Sequence, residues 1–82
     1  MKLALYQEIA LNRDFLDYNL RRGDMATLID YVPHPEQGEE GAVLEVFNAL
    51  GDTLCVVTVP ISSIDALQPN DVLSIRRLAP AS

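Results

Sequence analysis

No stretch of this chain approaches the ~20 consecutive apolar residues that a membrane-spanning helix needs. The opening MKLALYQEIA carries one lysine and then Glu8, too short and too polar for a signal peptide. A soluble, unexported, cytoplasmic protein is expected. Cysteine is nearly absent: Cys55 has no partner within the chain, and a lone thiol suits a reducing compartment. It lies in the apolar run LCVVTV with no His, Lys or Arg within several residues to lower its pKa, so it is expected to be a buried, reduced structural residue. Histidine is as scarce. With His34 alone, and no Ser or Cys arranged beside it as a nucleophile, a hydrolytic triad has little to be built from. Internal repeats, low-complexity tracts and a long amphipathic helical pattern are missing too.

The most informative absence is of positive charge. Residues 1–22 hold Lys2, Arg13, Arg21 and Arg22 against Glu8, Asp14 and Asp17. Residues 23–71 have no Lys or Arg at all but nine acids, and only Arg76 and Arg77 follow, giving a net charge of −6. Such a field repels phosphate backbones and attracts cationic partners, while also serving solubility.

What is present reads as one small domain. In 82 residues, 49% hydrophobic and 22% charged, only a single core can form, because a chain this short buries about 60% of its extended surface. One domain is expected over 1–82, with its core at about 3–78 and a frayed tail at 79–82. Short apolar runs separated by turn residues predict strands at 8–11, 25–32, 42–47 and 53–59. A single helical turn is expected near 61–64, a brief strand in ALQ (66–68), a turn at PND and a final strand, VLSIRRL, at 72–78. Between the first two strands, NRDFLDYNLRRGD is a polar loop whose Phe15, Leu16, Tyr18 and Leu20 are expected to pin it to the core. PHPEQGEEG is a solvated acidic loop, and Gly51 supplies the positive φ of the hairpin joining the third and fourth strands. Five to six short strands with one helical turn predict an all-β, SH3-like small barrel, closed so that no sheet edge is left open.

Four segments, LYQEIALNRD, LRRGDMATLIDY, LEVFNALGDTL and VTVPISSI, in this order resemble the bacterial domain of unknown function 4926. The resemblance spans residues 3 to about 67. It implies an SH3-like barrel and an intracellular bacterial protein, and transfers no catalytic residue. Within it, RGDMATLI is similar to the KOW motif of ribosomal and transcription-factor barrels, with Ala26 where that motif usually has glycine. This resemblance implies an alternative role in nucleic-acid binding, which the acidic charge census opposes.

Arg22-Gly23-Asp24 reads as a turn, glycine providing the positive φ and Asp24 accepting from backbone amides. His34 with Glu36, Glu39 and Glu40 lacks any recognised ligand spacing, so neither metal nor cofactor is expected. No constellation supports an enzyme. The third and fourth strands carry apolar residues on both sides: Val43 and Phe47 against Leu44 and Val46, then Cys55, Val57 and Val59 against Leu54 and Val56. One side must fill the core. The other needs a cover from the N-terminal segment, the final strand, a second copy of the chain or another protein. The expected function is a non-catalytic protein–protein interaction module, an accessory or antitoxin-like partner of a neighbouring gene product. It would bind a basic protein through Glu36, Glu39, Glu40, Val43 and Phe47, with homo-oligomerisation a further option.

Overall fold

The computed structural model of the protein describes residues 2–34, 36 and 38–78. Its strands are β1 (Glu8–Leu11), β2 (Met25–Val32), β3 (Gly41–Phe47), β4 (Thr53–Pro60) and β5 (Ile64–Ala66). They form one antiparallel sheet in the order β4-β3-β2-β1-β5. Alternation dictates which side is buried. Leu28, Leu44 and Val57 sit opposite one another across three strands and face inward, joined by Ile9, Leu11, Ala26, Ala42, Val46, Val59 and Ile64. A bulge between Leu28 and Asp30 shifts the parity of β2, so that Asp30 points to solvent while Tyr31 packs on the core and donates from its hydroxyl to the Leu3 carbonyl. Without the bulge, an aspartate would occupy the inward position.

The turns form as their residues demand. Asn48 Oδ1 accepts from the Leu50 and Asp52 amides, both at 2.9 Å, and Gly51 takes φ +90°, which closes the β3–β4 hairpin. After β4 a 3-10 turn, Ile61–Ser63, carries the chain across to β1, where β5 pairs with Ile9–Leu11. Buried Ser63 is satisfied there by donating to the Pro60 carbonyl.

Four expectations are corrected. The sheet is open and does not close into a barrel: β4 and β5 are its two edges, and β5, three residues long, pairs only with β1. The brief fifth strand occupies 64–66 instead of 66–68, because Asn12 draws in the chain directly after the 3-10 turn, its amide donating to the Ser63 carbonyl at 2.9 Å and its side chain to Ser62 and Asp65. The expected final strand does not form. Residues 72–78 form no regular secondary structure and are exposed, with Val72 at 91% and Ile75 at 86%, and no sheet edge receives them. High strand propensity cannot act without a ladder to join. Cys55 is half-buried, not buried, since it is the last inward position of the edge strand before a register shift at the hairpin end. The expected frayed tail at 79–82 lies outside the described residues.

A candidate protein-docking cleft

The loop between β1 and β2 is folded tightly by its own polar groups. Phe15 and Leu20 exchange backbone hydrogen bonds at 2.9 and 3.0 Å around a 3-10 turn, Leu16–Tyr18, which ends with Asn19 in the left-handed region. The Asp14 carboxylate accepts from the Arg22 amide and the Asp24 carboxylate from the Arg21 amide, both at 2.8 Å. Gly23, at φ +92°, turns the chain into β2, as the Arg-Gly-Asp sequence led one to expect. Leu20 is buried and Phe15 half-buried, so two of the four predicted apolar pins hold. Leu16 and Tyr18 do not: they are 65% and 44% exposed.

Those two side chains line a cleft. Its floor and walls are Phe15, Leu16, Tyr18, Thr58 and Pro60, with Asp14 and Asp17 on the loop side, enclosing about 390 Å³ open to solvent. A 3-10 turn repeats every three residues, so in DFLDY the same geometry that aligns the Phe15 and Tyr18 rings, 6.4 Å apart and 24° from parallel, spaces two aspartates beside them. An aromatic surface edged by carboxylates suits a partner that presents a cation next to apolar groups. That three-residue spacing was visible in the sequence. What was not visible is that β4 would end beside it.

The structure divides the sequence-predicted site residues between two ends of β3. Glu39 and Glu40 lie at the Pro60 end, near the cleft. There Glu39 accepts from the Ser62 amide at 2.8 Å and its hydroxyl at 3.0 Å, and Glu40 pairs with Lys2 at 2.7 Å. Much of their charge is therefore met within the chain. Glu36 is exposed, its amide donating to His34 Nδ1 at 3.0 Å. Val43 is half-buried on the outward side of β3, and Phe47, 40% exposed, stands at the hairpin end, ~20 Å from Gly41 along an extended strand. Phe47 thus belongs to a different surface, shared with exposed Leu54 and Val56 on the outer side of β4. Among the described residues no group of three His, Cys, Asp or Glu side chains is positioned to hold a metal ion.

A salt bridge ties the C-terminal segment to the loop. Arg76 donates through Nε to Asp24 Oδ1 at 2.8 Å, through Nη2 to the Asn19 carbonyl at 2.9 Å, and forms a salt bridge with Asp24. Burial would by itself raise the Asp24 pKa. The Arg76 hydrogen bond, the Arg21 amide and the charges of Arg76 and Arg21 outweigh it, and the carboxyl lies below its ordinary value. Arg76 through its guanidinium, and Arg21 through its backbone amide and its charge, therefore act on the same carboxylate. Among the described residues no helix is long and apolar enough to cross a membrane. No family model, no curated protein and no solved structure matches this chain. The likeness to the domain of unknown function 4926 rests on its quoted residues alone.

Proposed function

We propose that this chain is a non-catalytic interaction module whose partner is another protein, and that it receives a basic, partly apolar segment of that partner in the Phe15–Tyr18 cleft. The observation that carries this is the pairing of exposed Leu16 and Tyr18 with Asp14 and Asp17 across from Thr58 and Pro60. Desolvating the rings supplies affinity, and the aspartates, with Glu36 and the rest of the base-free stretch 23–71, select for cations and speed encounter. An accessory or antitoxin-like role fits this chemistry, since an acidic domain can mask a cationic surface.

The test is an NMR titration with three synthetic peptides matched in apolar content and bearing positive, neutral or negative net charge. The cationic peptide is expected to shift the amides of Phe15–Tyr18, Thr58 and Val59, and Asp14→Asn with Asp17→Asn to weaken it roughly tenfold, as loss of two charge-assisted contacts would. Shifts elsewhere, or equal binding of all three peptides, would remove this reading.

A further inference from the structure

One bond at the end of the β3–β4 ladder fixes its phase. The Ile61 amide donates to the Glu40 carbonyl at 3.0 Å, and the register continues antiparallel from Gly41 and Pro60 to Leu44 and Val57. In such a ladder, hydrogen-bonded and non-bonded pairs alternate. Val59 with Ala42 and Val57 with Leu44 are therefore bonded pairs, and Pro60, which has no amide to offer, falls at a non-bonded position. The amides and carbonyls of Val56 and Thr58 turn away from β3. Since β4 is the edge of the sheet, no strand among the described residues lies on that side to receive them. Natural sheets guard an exposed edge with charges, proline or a short strand, yet β4 runs eight residues, TLCVVTVP, with no charged side chain and proline only at its end. Thr58, whose backbone faces this open side, also lines the Phe15–Tyr18 cleft together with Pro60, whereas Val59 between them is buried in the core. The cleft and the free edge are one continuous surface.

We propose that the partner's segment binds as a strand added to β4, its main chain pairing with Val56 and Thr58 while its side chains enter the cleft; this rests on the cleft being the partner's site. Strand addition draws affinity from main-chain hydrogen bonds and specificity from alternate side chains. The partner is thereby defined more closely. It is an extended stretch whose apolar and cationic side chains recur at every second position, on the side that meets Leu16 and Tyr18, Asp14 and Asp17. Val56 and Thr58 are both exposed, so the edge is accessible to a strand as it stands. The carboxylates beside the edge choose the occupant. A second copy of β4 is a poorer one, because it carries no cation, and neither does any residue from 23 to 71.

The test uses the full chain and the cationic peptide, with forms of the peptide N-methylated at one residue each. Methylation of amides that face β4 should weaken binding roughly tenfold, as loss of a hydrogen bond would, and methylation of the intervening amides should leave it nearly unchanged. The affinity then varies along the peptide with a period of two. Hydrogen exchange at the Val56 and Thr58 amides should slow on binding. Val56→Pro, at a residue outside the cleft lining and on the side where proline breaks no ladder bond, should keep the fold by circular dichroism and weaken the peptide roughly tenfold. The N-methyl series reads the same contact in the wild type. Binding that shifts the cleft amides yet ignores N-methylation and leaves Val56 exchange unchanged would retain the cleft as the partner's site and overturn strand addition. Absence of any binding by the cationic peptide would remove both. A dimer in sedimentation that the peptide does not displace and Val56→Pro disrupts would assign the edge to a second copy and overturn the proposal as well.

Discussion

The loop at 12–24 and the segment at 67–78 are of similar length, both lie outside the sheet's strands, and both carry several large apolar residues. One is built into the body and the other stands away from it. In the loop, Leu20 is buried at 3% exposure, Phe15 packs on the core, and Asp14 and Asp24 accept from backbone amides of the same loop. In the segment, Val72, Leu73 and Ile75 are mostly exposed and Arg76 supplies the attachment. Apolar content was not the difference. The loop has short polar side chains at positions where they can close its backbone, and both of its ends are strands of the same sheet, so ordering it costs little beyond what the sheet already fixes. The segment has one end tied and no ladder beside it.

The contrast is sharpest for side chains of equal size. Leu20→Ala in the loop should cost about 2–5 kcal/mol, the range for deleting a buried leucine, whereas Leu73→Ala in the segment should fall within ~0.5 kcal/mol. Urea unfolding of both variants checks this, and equal losses would mean the segment packs on the body after all. Next in size is Gly23→Ala. Nothing lies within 4 Å of the added Cβ, so the whole penalty is the left-handed φ of +92°, about 1–2 kcal/mol, readable in the same experiment.

Asp24 joins the two regions and should show it through pH. Its carboxyl is depressed in the folded protein, so the stability it contributes is complete above its unfolded pKa of ~3.9 and is lost as pH falls through the lower folded value. Asp24→Asn should therefore be destabilising at neutral pH, and the difference from wild type should shrink in acid below that window. A pH series of thermal unfolding measures it, and a difference that persists unchanged at acid pH would assign the effect to packing. The smallest expected effect is on exchange. The amides of Leu20 and Gly23, bonded to the Phe15 and Leu11 carbonyls, should exchange more slowly than those of residues 72–78, by hydrogen-exchange NMR.

Much of the sheet was legible before folding. Short apolar runs bounded by turn residues placed β1 at 8–11 and β2 at 25–32, and Gly51 and Gly23 marked turns where only a positive φ would serve, because these signals are local: strand-forming side chains in a row and the freedom of a residue without Cβ. The acidic, base-free stretch was likewise readable residue by residue. Site geometry was less so. Glu36, Glu39 and Glu40 looked alike in the sequence, yet Ser62 and Lys2, 23 and 38 residues away, take up two of them. Tyr18 looked like a core pin and became a cleft wall, since whether a side chain is buried depends on which distant strand arrives opposite it.

The sequence by itself determined where β1 to β4 and the glycine turns lie, and the sign of the surface charge. Tertiary structure alone decided that the sheet stays open, that Asp14, Phe15 and Tyr18 meet Thr58 and Pro60, and that VLSIRRL lies outside any strand. A strand is specified by its partner as much as by its own residues. The segment 72–78 has the residues of a strand, but without hydrogen bonds to a neighbouring edge it is not one.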